Sequence, residues 1–393
     1  MPSIDEMVGN SDVFPVLAQR DYFNHAGVSP MATPVAEAVR GFVDHFQQHA
    51  FVGFDFAAPM SKLREQAATL INANANDIAI VQNTSEAVSQ TAFGVALQPG
   101  ERVVISDAEY PANVYPWMEA CKQAGAELVR VAERKLDDGT VAVLEDDLIE
   151  AASHPKTQVL AVSHVQWGSG QRMDLKKLGG FCKSDGRTIF FSVDAIQSAG
   201  VVRIDVEADK IDYLQAGGHK WMLGTMGAGF LWIRPRWRKD TVPRTIGWAN
   251  VVEPLKWEEI DYTLQDSGQR YEYGSPAMAS VIAVGEGLSL LNGLGIEQVH
   301  AKVKALGDRF AAGLSDLPYR VVTPRDANDP ATCGGAICFV PDDAGKAAHV
   351  YQTLSKEHRT ELASRCGRVR FSPHFYNTGE QVDRLLERLA SIF

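Results

Sequence analysis

Two short stretches carry side chains that could do chemistry together. An apolar run from Thr188 to Val193 ends at the carboxylate of Asp194, with Gln197 three residues further on. A second run, Ile211 to Leu214, leads into Gly217-Gly218-His219-Lys220. Apolar runs bounded by glycine and polar residues mark strands covered on both faces of a parallel sheet. In open α/β sheets ligands gather at the carboxyl ends of strands. Two such strands set an acid and a primary amine at the same edge. Taken singly, each residue has a plainer reading. A lone lysine is usually a solvated surface residue, Asp194 would serve as a helix N-cap, and His219 as a core histidine. The glycines from Gly224 to Gly229 lack the order, strand-turn-helix context and downstream acid of a dinucleotide loop. It is the ordered combination that points to chemistry.

That combination suits pyridoxal phosphate. A lysine amine forms a Schiff base with an aldehyde, and a carboxylate pairs with a protonated pyridine nitrogen and keeps the ring an electron sink. The stretch VDAIQSAG, followed by DYLQAGGHKWMLGTMGAG, resembles the core signature of the class V aminotransferase family, which includes cysteine desulfurases, C–S lyases, isopenicillin-epimerase-like enzymes and kynureninase. The resemblance implies pyridoxal 5′-phosphate as cofactor, with Lys220 as the Schiff-base lysine and Asp194 as the pyridinium partner. It also implies Gln197 as a contact to the phenolic oxygen and His219 as a neighbour of the cofactor.

Further positions follow from the same resemblance. Ile78 to Val81 reads as a strand feeding a helix that opens at Gln82-Asn83-Thr84-Ser85-Glu86 and runs to about Leu97. Free N–H groups and the helix dipole favour a phosphate there. That role falls to Thr84, Ser85 and Glu86; an ordinary Ser/Thr cap with a nearby Glu is the alternative. Tyr110 stands where many relatives place a histidine over the cofactor ring, and aromatic stacking suits it. Gln166 and Trp167 stand near an asparagine common in desulfurases, so the amide of Gln166 is a candidate for that contact. Ser275, in Arg270-Tyr-Glu-Tyr-Gly-Ser-Pro276, would reach the phosphate of a neighbouring subunit, which implies a homodimer; a helix cap before Ala277 is the alternative. Asn24, His25 and Ala26, in a Gly/Pro turn from Tyr22 to Pro30, are pocket candidates, Asn24 and His25 for the substrate, or plain turn residues. In the closing segment Arg365 or Arg370 is by position the fork for a substrate carboxylate, with Arg365 preferred. Arg370 alternates with Val369 and Phe371 as a strand residue, and its plain reading is a structural salt bridge. Gly217 departs from a serine common in relatives. Cys366 follows Arg365 directly in a short loop, which argues against persulfide chemistry.

The elements that must position these residues alternate strand and helix from Ile78 to Ile233, the pattern of a parallel sheet with helices on both faces. The expected fold class is α/β, a fold-type-I pyridoxal-phosphate-dependent transferase with a large, mainly parallel sheet domain and a smaller α+β C-terminal domain. Residues 1–20 read as an arm, 21–252 as the large domain and 253–393 as the smaller one. A length of 393 residues with 45% hydrophobic residues suits two such domains. The net charge of −11 gives no general attraction to nucleic acid or to an anionic membrane. No apolar stretch is long enough to span a bilayer, and the acidic N-terminus is unlike a signal peptide, so a cytoplasmic location is expected. Five widely spaced cysteines without C-x-x-C argue against a disulfide framework or a metal site. The expected activity is aminotransferase-like, at the α carbon of an amino acid. C–S lyase, epimerase or cysteine desulfurase chemistry are alternatives on the same scaffold, and a catalytically silent binding or regulatory protein is the alternative of another class.

Overall fold

The computed structural model describes residues 3–392. Its larger sheet has seven strands: β1 Ile78–Val81, β2 Arg102–Ser106, β3 Glu127–Val131, β4 Thr157–Ser163, β5 Phe190–Asp194, β6 Tyr213–Gly217 and β7 Gly229–Ile233. In space they run β1-β7-β6-β5-β4-β2-β3. The strands from β3 to β6 are mutually parallel, and β7 is antiparallel to both of its neighbours. Every residue of β5 and β6 is buried, as expected of strands covered on both faces. Strand alternation divides their apolar residues between two cores. Leu160, Val162, Phe191, Val193 and Leu214 pack on one face, and Val159, Ala161, Phe190 and Tyr213 on the other.

A smaller sheet follows: β8 Tyr319–Val321, β9 Ile337–Pro341, β10 Ala363–Arg365 and β11 Arg368–Phe371, antiparallel in the order β8-β9-β11-β10. Val369 and Phe371 of β11 enter its core beside Phe310 and Leu385, which come from the helices Ile296–Leu314 and Gly379–Ala390. The opening segment lies along this sheet. Asp21 and Tyr22 pair in parallel with Thr360 and Glu361, and Asn24 bridges to Ser372. Asp21 is held there by Gln381, Arg384 and Arg388. The preceding residues pack as well: Phe14 stacks on Tyr376 at 3.7 Å between ring centroids.

The helix Met278–Leu294 is apolar all round and packs into both the sheet core and the cluster around Phe14. Among the described residues no single helix is long and apolar enough to cross a membrane. Residues 244–266 form an irregular segment in which Trp257 and Ile260 stand exposed.

Candidate active site

The two chemical side chains sit where the parallel pairing puts them. Asp194 is the last residue of β5 and pairs with Gln215 of β6. Lys220 follows the end of β6 by one tight turn, in which Gly218 N donates to Ala228 O. That turn demands glycine, since a Cβ on Gly218 would lie 2.2 Å from a methyl of Val284. Asp194 and Lys220 both line one cavity of about 270 Å³.

Burial governs the charges of this pair. Asp194 is pushed well above the usual carboxylate range by burial, with the negative charge of Glu109 adding to the push. The Ile196 N–H, donating to its Oδ1 at 2.9 Å, and the charge of Lys220 pull the other way. Lys220 is pushed down, by burial first and then by the charge of Arg370, against the pull of Asp194. His219 is lowered to about 4 by burial and by Lys220, so its ring is neutral at pH 7.

The helix Thr84–Gly94 meets the same edge. Asn83 caps it, accepting from Glu86 N at 2.9 Å. Gly217 N donates to Thr84 Oγ1 at 2.9 Å, fixing the helix start against the end of β6. Asn83, Thr84 and Ser85 line the cavity, and Ser85 is exposed toward solvent. Tyr110 and Trp167 form a wall, edge to face at 5.3 Å, with the Tyr110 ring centroid 5.7 Å from Lys220 Nζ.

The structure thus brings Thr84, Ser85, Tyr110, Asp194, Gln197, His219, Lys220 and Arg365 to one cavity. Gln197 is anchored at both ends of its amide: Nε2 donates to Ala26 O and Oε1 accepts from Trp221 Nε1, each at 3.0 Å.

Other expected contacts lie outside this lining. Both ring nitrogens of His25 are engaged, with Ser372 O at 2.9 Å and Tyr376 Oη at 2.6 Å, and the ring is fully buried. The Asn24 carboxamide sits against Gly27, and it is Ala26 and Gly27 that face the cavity. Gln166 is buried and donates to Glu109 at 2.8 Å. The carboxylate of Glu86 accepts from Gln82 N at 2.7 Å. Glu86 and Ser275 line a separate small pocket with Gln82, Gly227 and Tyr273.

Two residues gain weight from the geometry. Glu109 is a buried acid that accepts from Ser106, Asn113, Ser163 and Gln166. Its only signal in the sequence is an acid three residues past the end of β2. Arg370 is 2% exposed, lines the cavity, and has no carboxylate within ion-pair distance among the described residues. Its Nη1 donates to Trp167 O at 2.7 Å, and its Nε is buried without a partner. The salt bridge that strand alternation suggested for Arg370 is not formed.

A family model, aminotransferase class V, matches residues 22–385. The chain belongs to the class V aminotransferase family. This class V chain is 27% identical to a probable cysteine desulfurase of Methanothermobacter thermautotrophicus, over 96% of each chain. It is 26% identical to the isopenicillin N epimerase of Streptomyces clavuligerus, over 94% of each. Among solved structures it resembles the cystine C–S lyase C-DES in complex with cysteine persulfide, at a TM-score of 0.86 and 22% identity, over 96% of this chain and 99% of the other. It also resembles the apo cysteine desulfurase of Thermococcus onnurineus, at a TM-score of 0.84 and 23% identity, over 98% and 97%. The fold-type-I architecture agrees with these likenesses.

The cofactor of this family is pyridoxal 5′-phosphate, and the cavity residues fit it. A half-buried lysine and a buried acid face one space. A helix start offers N–H groups at one end of that space. Gly217 leaves room there, since a Cβ would stand 3.1 Å from Thr84 Oγ1.

Proposed function

We propose that this chain is a pyridoxal-phosphate-dependent enzyme acting at the α carbon of an amino acid, with aminotransferase-like chemistry. One observation carries the reading: a buried acid and a half-buried lysine from adjoining strand ends face one cavity. Lys220 would hold the cofactor covalently, Asp194 would face its ring nitrogen, and Asn83, Thr84 and Ser85 would receive its phosphate. When bound, the cofactor supplies an electron sink for charge developing at the substrate α carbon. Lys220 Nζ, made less basic by burial, takes the proton from that carbon and returns it. Tyr110 and Trp167 hold water off one side of the reacting centre. Arg370 takes the substrate α-carboxylate in place of Arg365, because its guanidinium is buried, unpaired and aimed into the cavity.

Cysteine desulfuration is a second reading, supported by the relatives' names and by the exposed Cys366, whose Sγ lies next to Gly168. Cys366 and Gly367 form a tight hairpin turn with φ of 52° and 71°, which limits the reach of the thiol. The homodimer belongs to this proposal as well: Ser275 lies apart from this chain's own cavity, as a hydroxyl serving a second copy would.

Borohydride reduction of the holo-protein followed by peptide mapping tests the reading. It should place the reduced cofactor on Lys220, and Lys220→Ala should lose turnover by at least about a thousandfold. A label on another lysine, or full activity in the variant, overturns it. Scoring keto acid, sulfide and racemised product across an amino-acid panel separates the reactions.

A further inference from the structure

The closing hairpin places three arginines on one face. Arg365 pairs across the hairpin with Arg368, and Ala363 with Arg370. Paired residues share a face, and residues two apart along a strand return to it, so Arg365, Arg368 and Arg370 point the same way. The opposite face, Val369 and Phe371, is buried in the small-sheet core. The three guanidiniums are not equivalent. Arg368 is occupied by Glu133 at 2.7 Å and by the Gly168 carbonyl at 3.0 Å. Arg370 donates only to the Trp167 carbonyl, and Arg365 only to the carbonyl of its neighbour Ser364, at 2.8 Å. Among the described residues neither has a carboxylate within ion-pair distance, and both line the cavity that holds Lys220.

Resting on the proposed amino-acid chemistry, we infer that this cavity is built for a substrate with two anionic groups, an α-carboxylate on Arg370 and a side-chain acid on Arg365. A single α-carboxylate needs one fork. Among the described residues the only acid lining the cavity is Asp194, so a second cation there meets no negative charge from them. Diagonal neighbours across a hairpin lie about 7–8 Å apart, and somewhat less at Cβ. That spacing suits two carboxylates separated by two or three carbons. Arg365, exposed at the mouth, is the specificity-determining residue.

The test uses unreactive acids on the holo-protein, so it reads binding without turnover. Succinate and butyrate, titrated by calorimetry at low salt, should differ by about tenfold or more in favour of succinate. Arg365→Ala should bring that ratio to within about threefold of unity, and Arg365→Lys should restore part of it. Equal binding of the two acids, or a preference that survives Arg365→Ala, overturns the inference. Failure of the underlying reading shows separately, as absence of a borohydride-trapped cofactor on Lys220 in the same preparation.

Discussion

Arg370 shows how a single side chain trades stability for function. A buried guanidinium without a counter-ion carries a desolvation cost, and here burial lowers its pKa to about 10. Replacing a buried charge by an apolar side chain of similar volume is often neutral or stabilising. Arg370→Met should therefore leave the melting temperature unchanged or raise it. The same change should cut kcat/KM for an amino-acid substrate by about a hundredfold, the loss of a charge-assisted fork worth roughly 2–3 kcal/mol. Thermal unfolding and steady-state kinetics on one preparation check both signs. A falling melting temperature with unchanged kinetics would mean that Arg370 is structural. The neighbouring Asp194 and Lys220 follow the same logic, each held away from its ordinary pKa by burial in the cavity where the proposed chemistry would run.

Among the elements, the turn that carries Lys220 is held from several sides. Trp221 is clasped by Gln197 through its indole N–H and by His374, whose Nε2 lies 3.1 Å from the Trp221 carbonyl. Gly200 completes the clasp: its φ is +102°, and a Cβ there would lie 2.4 Å from the same carbonyl. Gly200→Ala meets both a backbone penalty and a collision with rigid main chain. It should cost about 2 kcal/mol or more and also loosen the cofactor, read by denaturant midpoint and by cofactor titration. A normal midpoint with weakened cofactor would still place the collision at the Lys220 turn; no change in either would remove it. The elements themselves were largely legible in the sequence. β1 falls on the expected residues, Ile78 to Val81, because an apolar run between polar breaks is short and unambiguous. The runs at Thr188 and Ile211 mark strands that begin and end slightly later, since Asp194 and Gly217 pair into the sheet despite their residue types. The antiparallel direction of β7 left no trace in its sequence, as direction depends on the connection and not on composition. The cavity lining was readable where a motif fixed it, at Asp194, Gln197 and Lys220. For His25 and Arg370 the sequence left the role open, because it depends on partners more than a hundred residues away in sequence.

Seen over the whole molecule, the seam between the two sheets is closed by groups that must stay neutral. His25 links the opening segment to Ser372 and Tyr376, and His374 links the closing segment to the Lys220 turn. Both are fully buried, and burial is the main cause of lowered pKa values: well below the usual range for His25 and to about 4 for His374. An unfolded histidine takes up its proton near 6.5. Between pH 6.5 and 4 the unfolded chain therefore binds more protons at His374 than the folded one. This contribution to stability is complete above 6.5 and is lost as the pH falls toward 4. Asp194 and Glu272, with carboxyls raised by burial, act in the opposite sense across much of that window, so the total slope is a poor gauge. A difference measurement isolates the histidine. His374→Gln keeps a side-chain donor near Trp221 but cannot titrate. Its stability deficit against the unmodified chain should shrink by about 1.4 kcal/mol per pH unit, or about 2 kcal/mol between pH 7 and pH 5. Urea midpoints at three pH values measure it. A deficit that stays constant would mean that His374 titrates alike in both states, and that the seam is indifferent to protonation.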